Sequence, residues 1–217
     1  MIKSKSMFYI SLVFLFVAIL LNFPFPHSYP FGEVILIAWN IPIRFADGLI
    51  TVGIVVIFLL IIGLFLLVSS LKKYRGRIGF LVFILIIFTP GFMVNAYQEN
   101  FATGIYAVSY AAEESECRFE MKSGETVHGE CELSFINYSN HDVPFTVEFN
   151  EYDDPPMVSL MNNNAPYKIT LGANETKRIR LETDIDVSDI QNHVESGEAM
   201  GMDIIIRSKG KHRDIGI

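Results

Sequence analysis

Cys117 and Cys131 carry the most definite chemistry in the chain, and they are its only cysteines. Between them lies Ser123-Gly124-Glu125, a turn-forming stretch. A hairpin turning about Gly124 sets Cys117 opposite Cys131, Phe119 opposite Gly129 and Met121 opposite Val127. Opposite residues in an antiparallel pair have Cα atoms about 4.5–5.5 Å apart, within what a disulfide tolerates. The expected chemistry is therefore a structural disulfide. It would close a loop of about 15 residues, worth roughly 3 kcal/mol of unfolded-state entropy. The alternative is two buried thiols packing as small apolar groups. The spacing is not the C-x-x-C of a redox pair.

Other reactive residue types do not form recognisable sets. His128, His141, His193 and His212 fall on an expected strand face, a turn, a short helix and a polar tail. No H-x-x-x-H or H-E-x-x-H spacing joins them, so no zinc site is expected. Glu151-Tyr152-Asp153-Asp154 offers oxygens of the kind Ca²⁺ takes. It lacks the spaced acidic pattern of a calcium loop and reads as a solvated turn. No G-x-S-x-G elbow, Walker loop or G-x-G-x-x-G is present, so no catalytic residue, cofactor or metal is expected. Asn137-Tyr-Ser and Asn174-Glu-Thr fit the N-glycosylation sequon, which matters only in a eukaryotic secretory pathway. The short basic start and the composition look bacterial. The basic run Arg207-Ser-Lys-Gly-Lys-His-Arg213 could meet anionic groups, or could be a solvated hairpin turn about Gly210.

The elements that must position these residues follow from an uneven composition. The 217 residues are 51% apolar, yet the formal charge is −7. Residues 1–100 carry seven Lys/Arg and three acids, a net +4, while residues 101–217 carry ten and 21, a net −11. The chain is bipartite, a membrane half and an acidic soluble half. Acidity argues against a nucleic-acid partner. Three apolar runs, about 7–23, 48–71 and 78–96, match the roughly 17–25 residues a spanning helix needs. No ionisable residue lies inside them, so transport or intramembrane chemistry by this chain alone is not expected. The first run reads as an uncleaved helix. A cleaved signal peptide is the alternative, but the small-x-small cleavage pattern is missing. Thr89-Pro90-Gly91 is expected to kink the third helix. Gly53 and Gly63 are candidates for close helix contacts.

Lys3 and Lys5 precede the first run, and Lys72, Lys73, Arg75 and Arg77 fill the tight loop between the second and third. Basic loops stay in the cytoplasm. That rule puts the N-terminus inside and the C-terminal half outside the plasma membrane. The loop Pro24–Asp47 holds a short apolar run ending at Trp39. It could lie in the membrane interface, pack under the outer half, or re-enter the bilayer. Tyr29, Trp39 and Tyr97 suit the headgroup zone.

Beyond Ala96, apolar and polar residues alternate with a period of two. Cys117, Phe119 and Met121 form one set, Val127, Cys131, Leu133 and Phe135 a second, and Phe145, Val147 and Phe149 a third. Such alternation marks half-buried strands. Further strands are expected at Ile105–Val108, Tyr167–Leu171, Thr176–Glu182, Met202–Ser208 and Arg213–Ile217, with a short helix over Asp186–Glu195. The predicted organisation is a three-helix transmembrane region over 1–97, a juxtamembrane linker or first strand over 98–111, and an all-β antiparallel sandwich over 112–217.

The stretches Glu132-Leu-Ser-Phe-Ile-Asn-Tyr-Ser139, Val143-Pro-Phe-Thr-Val-Glu-Phe149 and Leu171-Gly-Ala-Asn-Glu-Thr-Lys-Arg-Ile-Arg-Leu181 resemble bacterial immunoglobulin-like surface domains. The resemblance covers about half the chain. It implies an extracellular binding or spacing module without a catalytic motif. The expected function is therefore non-enzymatic, an interaction or accessory subunit of a membrane complex. Its partners would be the bilayer and another membrane or surface protein. The alternative is a ligand-binding sensor or regulator that signals through a partner.

Overall fold

The computed structural model describes residues 2–27, 29–42, 51–150, 157–188 and 196–216. The chain divides into two units, Met1–Asn95 and Ala96–Ile217.

The first unit is helical. Its elements are α1 (Lys5–Leu21), α2 (Phe31–Ala38), α3 (Thr51–Ser70) and α4 (Arg75–Asn100), the last running on into the second unit. Ser4 begins α1 as its N-cap, its Oγ accepting the Met7 amide at 3.4 Å. Helices α3 and α4 are long and apolar enough to cross a membrane, whereas α1 is a shorter apolar helix of 17 residues. It ends at Leu21, two residues before the expected boundary, where the Asn22 amide caps the Ala18 and Leu20 carbonyls. The expected start of the second span at 48 lies outside the described residues.

Helices α1 and α3 pack antiparallel. At one end the Lys3 amide donates to the Ser70 carbonyl at 2.6 Å, and Ile2 bridges to Leu71. In the middle Leu15 lies against Gly63, where a Cβ would meet Leu15 Cδ2 at 2.7 Å. Gly53, the other candidate for close contact, faces open space. Leu15, Leu67 and Ile86 form one buried cluster, and Ala18, Val52 and Val56 another with Leu36 of α2 against it. The Pro24–Asp47 loop thus contains a short helix that packs on its own unit. Positions 43–50 lie outside the described residues.

Three hydroxyls within the helices are satisfied locally. Ser11, Ser70 and Thr89 donate their hydroxyls to the Phe8, Leu67 and Leu85 carbonyls at 2.7, 2.7 and 2.6 Å. Pro90 sits inside the continuous helix α4.

The second unit is antiparallel β. Its strands are β1 (Val108–Tyr110), β2 (Glu116–Ser123), β3 (Thr126–Asn137), β4 (Val143–Phe149), β5 (Tyr167–Leu171), β6 (Thr176–Asp186), β7 (Ser196–Met200), β8 (Ile204–Ser208) and β9 (Lys211–Ile215). One sheet runs β1-β3-β2-β7 with β6 on the other edge of β3, and the second runs β5-β4-β8-β9. Phe119, Leu133 and Phe135 from the first and Val147, Leu171, Ile204 and Ile206 from the second belong to one core. Of the residues expected in a first strand, Ile105 and Ala107 fall in a 3-10 turn, Gly104–Ala107, and Val108 begins β1. Of the expected helix over Asp186–Glu195, Asp186 closes β6 and positions 189–195 lie outside the described residues.

Several inward contacts are specific. Gly129 stands where a Cβ would meet Met161 Sδ at 2.6 Å, so its bareness lets the 3-10 turn Val158–Asn164 close on β3. From that turn, Asn162 bonds both backbone groups of Phe149, at 2.7 and 2.8 Å, continuing the ladder with a side chain. Asn137 is buried. Its Nδ2 donates to the His141 and Gly172 carbonyls at 2.9 and 2.8 Å, and its Oδ1 accepts from the Ser139 amide and hydroxyl.

Candidate functional site

The predicted cysteine pair is brought together. Cys117 and Cys131 are opposite in the β2–β3 register, their Cα atoms 4.0 Å apart, and they form a disulfide. The register holds from Glu116↔Glu132 to Met121↔Val127, then shifts so that Ser123 faces Thr126. Lys122 is the extra residue of a bulge, and Gly124-Glu125 make the turn. Both cysteines are fully buried, which makes the bond a staple of the core and not an exposed, exchangeable one.

The outward face of the first sheet is a ladder of paired charges. Arg180 lies 2.7 Å from Glu130 and 2.6 Å from Glu182, and Arg178 lies 3.5 Å from Glu132. Arg118 reaches Glu116 and Glu198 at 3.2 and 3.4 Å. Lys122 Nζ and His128 Nδ1 meet Asp184 at 2.7 and 2.6 Å, and their hydrogen bonds hold its carboxyl below the usual range. These solvent-exposed pairs fix register more than they add stability.

The second sheet presents a different outward face. Lys168 of β5 faces Thr146 of β4, Thr146 faces Arg207 of β8, and Arg207 faces His212 of β9. With strands about 4.8 Å apart, this row sets Lys168 and Arg207 about 10 Å apart at their bases, with His212 one strand further on. The β8–β9 hairpin turns on Lys209 and Gly210, both left-handed at φ 50° and 75°. That geometry matches the right-handed twist of the flanking strands. It lifts Lys209 and Lys211 to the rim of an open depression of about 640 Å³ floored by the row. Lys211 Nζ stands 5.3 Å from the Tyr106 ring centroid, a cation–π contact. Arg207 Nε lies 3.3 Å from Glu148. No Asp or Glu lines the depression. A smaller hollow of about 340 Å³ adjoins it, sharing Pro144, Ser208 and Lys209.

The basic run Arg207–Arg213 is thus a hairpin about Gly210, as one of its two readings had it. What sequence reasoning missed is Lys168, some forty residues earlier. Its parity in β5 marked it as outward, but only the β5-β4-β8-β9 order brings it to the same row. Arg213, by contrast, points inward and is buried.

The remaining predicted residues are dispersed. Trp39 follows α2 and is 75% exposed. Tyr29 stacks on His27 at 4.8 Å, and Tyr97 stacks on Phe101 at 6.4 Å. Lys72, Lys73, Arg75 and Arg77 lie exposed at the α3–α4 connection, where the Lys3 amide bonds to Ser70, so both basic groups share one end of the α1–α3 pair. Arg75 Nε donates to the Leu71 carbonyl at 2.5 Å and Arg77 lies over the Tyr74 ring. Of the sequons, Asn137 is buried and committed, while Asn174 is exposed in a turn at φ 53°. The acidic loop 151–156 and His193 lie outside the described residues.

Compared with known proteins, the chain matches no family model, no curated protein and no solved structure.

Proposed function

We propose that this chain is a non-enzymatic integral membrane protein that displays an immunoglobulin-like β-sandwich on the outer face of the plasma membrane. In this reading it serves as an interaction or accessory subunit of a membrane complex. The observation that carries it is the contrast between the two units. The helices leave large apolar side chains bare, with Phe80, Phe88 and Phe92 of α4 about two-thirds or more exposed, whereas the β unit buries most of its large apolar residues in one core. A bare apolar helix of spanning length is stable in lipid and a liability in water.

Orientation rests on Lys3, Lys5, Lys72, Lys73, Arg75 and Arg77 at one end of the α1–α3 pair, the end that basic residues hold in the cytoplasm. With α1 as a third span, the β unit lies outside. The Cys117–Cys131 disulfide supports an oxidising location. The pairing order supports the immunoglobulin-like reading. Taking β2, β3, β4, β6, β8 and β9 as strands A, B, C, E, F and G, A–B and B–E pair in one sheet and C–F and F–G in the other.

A reporter fused after Ile217 tests the arrangement, with activity expected only outside the cytoplasm. Cytoplasmic activity would sink the orientation. Purification in mild detergent should bring a stoichiometric membrane or surface partner, and a chain that runs alone as a monomer would count against the accessory role. The second reading, a ligand-binding sensor or regulator acting through a partner, has the open cationic depression on the second sheet in its favour.

A further inference from the structure

We infer that the depression on the outward face of the second sheet is a binding site for a ligand carrying two or more phosphate groups. The inference rests on reading the β unit as a binding module, and gives that module a ligand chemistry. Three observations carry it.

The first is charge segregation. Residues 101–217 hold 21 acids and ten Lys/Arg. Four of those ten, Lys168, Arg207, Lys209 and Lys211, line this one depression together with His212, and no acid does. A body of net negative charge repels anions at long range. A concave face on it lined by four cations, of which, among the described residues, only Arg207 is held by a carboxylate, is where an anion would concentrate.

The second is pairing. Arg118, Lys122, Lys177, Arg178 and Arg180 of the first sheet each have a carboxylate within 4.0 Å. Among the described residues, Lys168 and Lys209 have neither an ion pair nor a side-chain hydrogen bond, and both are exposed. The two sheets are built from the same residue types, but only the second leaves ammonium groups uncompensated.

The third is spread. The cations come from β5, from β8, from the turn and from β9, so a single carboxylate could not engage them all. Phosphate offers several acceptor oxygens to donors converging from different directions, and its charge-assisted bonds to Lys and Arg are among the stronger ones. Two such groups would match Lys168 and Arg207, two strands apart in one row. The Thr170 hydroxyl is on the same face, opposite Pro144. The site is not a deep pocket, so specificity would come from spacing of charge.

The test uses the full chain in neutral phosphatidylcholine nanodiscs. Sodium tripolyphosphate is titrated calorimetrically at low and high salt, and phosphatidylglycerol vesicles are tested by co-flotation against phosphatidylcholine vesicles. Expected is saturable binding of one probe, weakened by salt. Tripolyphosphate binding assigns a soluble phosphate source, and binding of phosphatidylglycerol vesicles alone assigns a membrane surface, where neighbouring headgroups together present the two or more phosphates. Lys168→Gln with Lys209→Asn should weaken binding about tenfold. Both positions are exposed, and Asn tolerates the left-handed backbone at 209. Arg180→Gln on the other sheet should leave binding unchanged. Absence of binding to both probes, binding untouched by the double substitution, or equal weakening by Arg180→Gln would each overturn the site. A cytoplasmic reporter signal would move the site to another compartment without affecting phosphate binding, so the two readings fail separately.

Discussion

Gln98 and Arg213 meet at one acceptor. The Val108 carbonyl takes a hydrogen bond from Gln98 Nε2 at 3.3 Å and from Arg213 Nη1 at 2.6 Å. Gln98 also donates to the Tyr106 carbonyl at 3.0 Å and Arg213 to the Ile105 carbonyl at 3.4 Å. Both side chains are buried, at 4% and 6% exposure. Burial pushes the Arg213 guanidinium down to about 10, which still leaves it charged at neutral pH. The three-residue strand β1 and the 3-10 turn before it are therefore held by side chains from β9 and from the last turn of α4, as well as by the ladder to β3.

The shared acceptor predicts non-additivity. Gln98→Ala or Arg213→Ala alone leaves the other donor on Val108, whereas the double variant strips that carbonyl. Each single change should cost about 1–3 kcal/mol, the price of unpaired buried groups. The double should exceed their sum by at least about 0.5 kcal/mol. Hydrogen-exchange protection of the 108–110 amides reads the effect, and strict additivity would show that the two side chains act independently.

Tyr110, in the same short strand, predicts a pH effect. Its hydroxyl has no hydrogen-bond partner among the described residues. Burial raises its pKa from 10.0 to about 12. Ser115 pulls the other way but commits its hydroxyl proton to the Ala111 carbonyl, and Asp203 adds to the rise. The unfolded tyrosine loses its proton first. Its contribution to stability is thus complete below pH 10 and falls as pH climbs through about 12. Tyr110→Phe should reduce alkaline destabilisation and cost nothing at pH 7, since no bond is lost. Burial also raises the pKa of Tyr167, so part of the alkaline loss should remain. Thermal melts from pH 8 to 11 decide it, and a Tm lowered at pH 7 would reveal a partner for the hydroxyl.

Period-two patterning made β2, β3 and β4 legible because one face of each is dry, whereas β7, with no buried residue, carried no such signal and was missed. The β2–β3 register followed from a single turn position, and with it the cysteine pairing. The bulge at Lys122 did not, because one extra residue next to a turn leaves the apolar alternation intact. Ile105–Ala107 reads as a strand from its apolar character, yet Gly104 at φ 60° starts a 3-10 turn there. The cationic face was half legible. Arg207–His212 is contiguous, but Lys168 joins it only through the order of strands in the sheet, which local pattern does not encode. The small-residue signal was similarly partial, since Gly63 and Gly53 look alike in sequence and only Gly63 faces a neighbour.

The disulfide is predicted to resist reduction in the native state. Cys117 and Cys131 have no exposed surface, so attack by a thiolate requires the sheet to open. Dithiothreitol without denaturant should leave both unlabelled by a maleimide, and labelling should track unfolding. Replacing both by Ala should cost roughly 3 kcal/mol, the entropy of the loop they close. Rapid labelling under native conditions would show the hairpin to be mobile.

Asn137 predicts a large local cost for a small change. Its side chain fills four hydrogen bonds that tie the 138–142 turn to the 172–175 turn. Asn137→Ala removes all four bonds at once and leaves the Ser139 amide without this acceptor, and should cost about 2–3 kcal/mol. Asn137→Asp should be at least as costly, because it replaces the donor with a second acceptor. Chemical denaturation of the full chain in detergent, followed by tyrosine near-ultraviolet circular dichroism, measures both.

Gly63 and Leu15 predict a compensating pair within the helices. A Cβ at position 63 would meet Leu15 Cγ at 2.9 Å and Cδ2 at 2.7 Å. Gly63→Ala therefore forces the Leu15 side chain to move, and Gly63→Val forces α1 and α3 apart. Overpacking of this kind costs about 1–3 kcal/mol. The clash is with a side chain and not with backbone at its closest points, so Leu15→Ala should relieve it. Alone, Leu15→Ala should destabilise by opening a cavity beside Gly63. In Gly63→Ala, the same change should recover part of the stability, because the added methyl fills part of the space left by the three carbons that Leu15→Ala removes. Contact between the helices is read by cross-linking engineered cysteines on α1 and α3 in membranes. Cross-linking should fall in each single variant and recover in the double. Equal loss in the double would mean that the two residues do not face each other.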